Sequence, residues 1–201
     1  MNWRAALLSS WAKPVLMFLL ALPMAWLIYA AFNDLLGANP AEALTRQSGD
    51  WTLRGLCLVL AITPLRVMLK APGMLHLRRT IGVTTFVYAV VHLLCYAWFD
   101  QGFEVADILR DIMKRPFIWL GFSAMLLMLP LALTSNNRAI RWLGGRRWQM
   151  LHRLVYAAAL LAVLHFFWMR TGKNNFAEVW VYAAVLSTLM GWRLWWWRQP
   201  A

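Results

Sequence analysis

Charge is scarce in this 201-residue chain. Only 14% of its residues are Asp, Glu, Lys or Arg, and 62% are hydrophobic; soluble domains carry about a quarter charged residues. That balance excludes a water-soluble globular domain and reads as an integral membrane protein, too short for several domains. Cysteine is nearly absent. Cys57 and Cys95 both lie in apolar runs without CxxC spacing, which excludes a disulfide framework or a thiolate zinc site and leaves two small packing residues. No GxGxxG follows a strand and no phosphate-binding loop occurs; Gly144-Gly145 fits neither. The chain therefore has no recognisable module for taking hydride from a nicotinamide cofactor. Alternation of apolar and polar residues is also missing, which excludes a barrel. Acids are the scarcest charge, eight against 20 Lys and Arg. The net charge of +12 would suit nucleic acid, but the cations sit in short segments beside apolar runs, so no nucleic-acid partner is expected.

What is present is a series of apolar runs long enough for spanning helices of about 20 residues. Six are read, over 15–32, 51–69, 80–99, 116–133, 150–169 and 179–197. The first is long for a signal peptide's apolar region and is read as an uncleaved span. Placing the N-terminus inside puts 13 of the 20 cations on the inner side, from Arg4 and Lys13 to Arg193 and Arg198, and no acid with them. All eight acids then fall outside: Asp34, Glu42, Asp50, Asp100, Glu104, Asp107, Asp111 and Glu178. Excess Lys and Arg mark cytoplasmic segments, so the expected fold is all-α: a single-domain, polytopic six-helix bundle over 1–201, N-in and C-in, multi-pass in a bacterial inner membrane and in contact with lipid. Outer loops are expected at Asn33–Asp50, Asp100–Arg115 and Arg170–Glu178. Within the second, Phe103–Met113 is amphipathic and suits either the membrane surface or a docked partner.

Four histidines are the chemically distinctive residues. His92 lies inside the third run and His165 inside the fifth. A histidine within a span is costly and calls for a partner. Both helices run from inside to outside, and counting at 1.5 Å per residue places the two rings at depths within about 5 Å of each other. Two imidazoles facing from two helices can hold one haem iron from both sides, a ligation suited to electron transfer. Two other readings compete: each ring as a hydrogen-bonding contact between helices, and zinc, for which a complete ligand set is hard to assemble at that depth. His152 lies at the inner edge of the fifth run, roughly 20 Å from His165 along a continuous helix. It can hold an inner haem with His76, hold one with a weaker or exogenous partner, or be a surface histidine. Arg78, Arg79, Arg146 and Arg147 are candidates to neutralise haem propionates or a flavin phosphate, against the reading that they only set topology.

The segments LGANPAEALTRQSG (36–49), ITPLR (62–66), RRTIG (78–82), His92, KRPF (114–117), LTS (133–135) and RRWQMLHRLVY (146–156), followed by His165, together resemble the MsrQ (YedZ) family. That family is the haem-binding membrane subunit of the MsrPQ methionine sulfoxide reductase system, in the ferric-reductase-like transmembrane group. The resemblance implies that His92, His152 and His165 bind haem through its iron. It implies one or two haems b, and FMN, for which no residue is assigned. It further implies electron delivery to a periplasmic MsrP-like molybdopterin reductase that repairs oxidised methionines, from the quinone pool or a cytosolic flavin reductase. The chain would be an electron-transfer subunit, with methionine chemistry on the partner. The rival functions are a self-standing transmembrane ferric or quinone reductase of the same architecture, and a haem-free transporter or assembly factor.

Overall fold

The computed structural model describes residues 7–172 and 174–198; Arg4, counted above among the inner cations, lies outside them. Among the described residues there are helices and turns and no strand. In chain order the α-helices are α1 (Ala12–Phe32), α2 (Pro40–Met68), α3 (Leu75–Cys95), α4 (Val105–Lys114), α5 (Pro116–Leu133), α6 (Asn137–Leu143), α7 (Gly145–Leu151), α8 (Leu154–Thr171) and α9 (Ala177–Trp197). Five helical stretches are long and apolar enough to cross a membrane: Ala12–Phe32, Pro40–Met68, Pro72–Asp100, Pro116–Leu133 and Gly145–Thr171. The exterior agrees with an apolar solvent, since Phe18, Trp26, Leu126 and Leu160 are each more than half exposed. α9 has the length, at 21 residues, but Arg193 and five tryptophans (Trp180, Trp192, Trp195, Trp196, Trp197) dilute its hydropathy.

Three local features depart from the sequence reading. α2 begins at Pro40, eleven residues before the apolar run from Trp51. Asn39 caps it by accepting from the Glu42 amide at 3.1 Å, Pro40 is preset for the first turn, and Glu42 pairs with Arg46 at 2.6 Å one turn on. The first turns are thus a polar helix rather than loop, and the connection between α1 and α2 shrinks accordingly. α3 ends in a π-helical turn, Tyr96–Asp100, one turn beyond His92. The expected fifth span is present within Gly145–Thr171, but it is not regular throughout: α7 stops at Leu151, and His152 and Arg153 form a turn before α8. The rings of His152 and His165 therefore do not stand on one continuous helix.

Close approach governs the packing. In a membrane, helices associate by contact between small residues and by polar links rather than by expulsion of water. Ala158 and Ala159 of α8 are fully buried, beside Leu56 and Leu60 of α2, Ile81 of α3 and Leu186 of α9. Gly55 of α2 lies against Thr85 of α3, where an added Cβ would sit 2.3 Å from the threonine Oγ1. Tyr88 wedges its hydroxyl into α1. It accepts from the Met24 amide at 3.0 Å and donates to the Leu20 carbonyl at 2.9 Å, bridging two backbone groups one turn apart beside Pro23. Insertion of a side chain into the ladder next to proline is a defined cause of helix bending. Arg193, only 6% exposed, donates to the Leu60 carbonyl at 2.8 Å and to the Tyr156 hydroxyl, tying α9 to α2 and α8.

α4 is the amphipathic piece read from the sequence. Ile112 is buried, while Val105, Leu109 and Met113, four residues apart, face outward. Asp111 fastens it. Its carboxylate accepts from the Tyr96 hydroxyl at 2.9 Å, Gln101 Nε2 at 3.1 Å and Arg115 Nε at 2.8 Å.

Candidate functional site

His92 and His165 meet. Their ring centroids are 6.1 Å apart and their planes cross at 77°, in a cavity of about 560 Å³ walled by α2, α3, α5 and α8. That volume lies within the range of prosthetic-group and ligand sites, roughly 300–1,000 Å³. The cavity lining includes the apolar Leu56, Ala89, Ala124, Met128 and Ala162, and also the charged Glu42, Arg46, Asp50, Asp100 and Arg115 at its mouth. Ile112 of α4 and Tyr96 of the π-helical turn line the same mouth.

Hydrogen bonding settles which ring nitrogen is free. His92 Nδ1 lies 2.7 Å from the Thr45 carbonyl oxygen, and His165 Nδ1 lies 2.6 Å from that of Phe117. A carbonyl only accepts, so each Nδ1 carries the proton and each Nε2 is left with a lone pair. No described residue hydrogen-bonds either Nε2. This is the arrangement of metal-bound imidazole, whose second nitrogen typically donates to a carbonyl or carboxylate. Among the described residues no three His, Cys, Asp or Glu side chains cluster as a ligand set. Two axial imidazoles therefore suit a metal whose other donors come with it, as they do in a macrocycle.

Each histidine also faces a glycine. A Cβ at Gly49 would lie 2.9 Å from His92 Cε1, and one at Gly121 would lie 2.8 Å from His165 Nδ1. The sequence reading missed Thr45, Gly49, Phe117 and Gly121. The available signal for α5 was a glycine just over one turn into an apolar helix; for α2 it was masked by the hidden helical start.

His152 is elsewhere, at the other end of the bundle. Its Nε2 lies 3.1 Å from Thr134 Oγ1. That hydroxyl already donates to the Pro130 carbonyl at 2.6 Å, so His152 Nε2 is the donor and its Nδ1 keeps a lone pair. Trp148 stacks on the ring at 3.9 Å and donates to the Thr134 carbonyl. His76 is not brought to His152; it lines a separate hollow with Leu7, Leu8, Ser9, Ser10 and Lys13. None of the four arginines read as anion contacts lines the His92–His165 cavity. Arg78 lies within electrostatic reach of His152 and Arg193, Arg79 donates to Asn137 at 3.0 Å, and Arg146 and Arg147 are exposed on α7.

Comparison with known proteins follows the same lines. The family model described as Ferric reductase like transmembrane component matches residues 48–163. The chain is similar to the protein-methionine-sulfoxide reductase heme-binding subunit MsrQ of Polaromonas naphthalenivorans (strain CJ2), 60% identical over 189 residues that cover 94% of this chain and 86% of that one. The subunit of the same name from Ralstonia nicotianae is 48% identical, covering 93% and 87%, and that of Caulobacter vibrioides is 41% identical, covering 89% and 84%. No solved structure matches the chain.

Proposed function

We propose that this chain, which belongs to the MsrQ family of heme-binding subunits within the ferric-reductase-like transmembrane family, is a transmembrane electron relay with a haem b held between His92 and His165. The observation that carries the reading is the pair of opposed imidazoles, 6.1 Å apart in one cavity, each with Nδ1–H given to a backbone carbonyl. The group would supply one-electron chemistry with no open coordination position for oxygen. The chain's residues do the rest. His92 and His165 present neutral Nε2 lone pairs; Thr45 and Phe117 fix the tautomer; the apolar walls exclude water from the ligands, and α4, latched by Asp111, covers the outer mouth.

The wider reading rests on the charge asymmetry of the sequence and on the relatives' names. It is a six-helix bundle, α9 included, N-in and C-in, in the bacterial inner membrane. Its outer partner is an MsrP-like periplasmic methionine sulfoxide reductase, and electrons come from the quinone pool or a cytosolic flavin reductase. His152, with its free Nδ1, is the candidate ligand for a second haem at the inner end. The exposed Arg146 and Arg147 are the cations open to a flavin phosphate of FMN there.

The test is a reduced-minus-oxidised spectrum of the purified protein and of His92→Ala, His165→Ala and the double variant. The native protein is expected to show a low-spin b-type spectrum. Each single variant should lose that haem or turn it high-spin, with the double little worse, because the two ligands act as one unit. Full occupancy and an unchanged low-spin spectrum in either single variant would falsify the shared-ligand reading.

A further inference from the structure

Resting on the reading of His92 and His165 as ligands to one iron, we propose that Thr45 with Gly49 and Phe117 with Gly121 are two matched positioning pairs that lock the imidazoles in crossed planes. In each pair the glycine follows the carbonyl by four residues, on one helix and one turn on. In an α-helix the carbonyl of residue i accepts from the amide of residue i+4, and side chains lean back toward the N-terminus over the preceding turn. A Cβ at position i+4 therefore stands beside the carbonyl of residue i and obstructs a side chain approaching from a neighbouring helix.

The space beside each glycine agrees at both sites. At Gly49 an added Cβ would meet His92 Cε1 at 2.9 Å and Nδ1 at 3.0 Å. At Gly121 it would meet His165 Nδ1 at 2.8 Å, Cε1 at 3.0 Å and Cγ at 3.2 Å. In both cases the obstructed atoms include the nitrogen that reaches the carbonyl, at 2.7 Å for Thr45 and 2.6 Å for Phe117. The same solution occurs on α2, whose outer turns are polar, and on α5, which is apolar throughout, on opposite walls of one cavity. The two sides differ in one respect. The Ser48 hydroxyl donates to the Leu44 and Thr45 carbonyls and lies 3.5 Å from His92 Nδ1, with no counterpart on α5.

Two consequences follow. First, the acceptor is a neutral carbonyl and not a carboxylate, so each ring stays a neutral imidazole instead of moving toward imidazolate, and the ligands donate less charge to the metal. Second, anchoring each ring at Nδ1 fixes its rotation, and the planes stand 77° apart. Each axial imidazole raises one of the two iron dπ orbitals through its own π system. Parallel rings raise the same orbital and separate the pair. Crossed rings raise one each and leave them nearly degenerate, which gives ferric low-spin iron a highly anisotropic EPR signal in place of a rhombic one.

The experiment is frozen-solution EPR and redox titration of the haem-loaded protein, read in a His152→Ala background so that a haem at the inner end does not overlap. The parent should give a single large-g, highly anisotropic low-spin signal. Gly49→Ala and Gly121→Ala should each convert it to a rhombic or high-spin signal, with a shifted midpoint potential. Gly82→Ala is the matched control, since its Cβ would find only Val59 at 3.9 Å, and it should keep the parent signal. A rhombic parent spectrum overturns the crossed-ring proposal whether or not any variant folds, and so do unchanged spectra in both glycine variants. Failure of the ligand reading is separate, because His92→Ala and His165→Ala would then keep the parent's low-spin signal.

Discussion

Replacing Gly55 by alanine tests how closely α2 and α3 must pack for the site to exist. The added Cβ would lie 2.3 Å from Thr85 Oγ1, 2.8 Å from Cγ2 and 3.0 Å from Cβ. A relaxed carbon–oxygen contact is longer by about 1 Å, so the helices must part by about that much. Thr85 has little room to turn away: it is 3% exposed, and its hydroxyl donates to the Ile81 carbonyl at 2.7 Å. Overpacking of this kind costs about 3 kcal/mol at the upper end, and the better helix propensity of alanine returns about 1 kcal/mol. The expected net loss is about 2 kcal/mol. α2 carries Thr45 and α3 carries His92, so the separation also stretches the 2.7 Å bond between them. Thr85→Ala alone should cost about 1 kcal/mol as a small cavity. In the double variant the threonine Oγ1 and Cγ2 are gone and only the 3.0 Å Cβ contact remains. The double should therefore be more stable than Gly55→Ala, with a coupling of about 1–2 kcal/mol. Unfolding in mixed micelles, followed by helicity and by haem absorbance, reads both quantities. A Gly55→Ala protein as stable as its parent, or strict additivity in the double, would refute the close-packing argument.

Tyr88→Phe removes the hydroxyl that bridges the Met24 amide and the Leu20 carbonyl beside Pro23. Stability should fall by about 1 kcal/mol and hydrogen exchange at Met24 should change; identical exchange would mean the hydroxyl contributes nothing. Asp111→Ala leaves Tyr96, Gln101 and Arg115 without their acceptor, a loss of about 2 kcal/mol in the docking of α4. Trypsin should then cut at Arg110 and Lys114 faster than in the parent, and equal rates would show that α4 is held by Ile112 alone. Reporter fusions at Gly73 and Arg198 should report the cytoplasm and one at Asp107 the outer side; an external Arg198 would sink the topology drawn from the cations.

The apolar runs alone determined that the chain is helical and built for a membrane, because a bilayer accepts only segments that satisfy their backbone internally, and hydropathy records this residue by residue. The span at 116–133 coincides with α5, since Pro116 and Thr134 mark its ends by local chemistry. His92 and His165 were legible as a pair because depth along a regular helix is a matter of counting. The turn at His152 was not, because it lies within a helix-favouring stretch; there Thr134, 18 residues away, bonds the His152 ring that Trp148 stacks on. Thr45 and Gly49 were hidden for the opposite reason. They stand on two polar turns that read as loop, and their helical state depends on the Asn39 cap and the Glu42–Arg46 pair. Whether the two rings face or miss each other was decided only in three dimensions. Ring rotation is set by carbonyls 47 and 48 residues away in the chain, and those carbonyls are reachable only because the helices that carry them expose a glycine one turn further on.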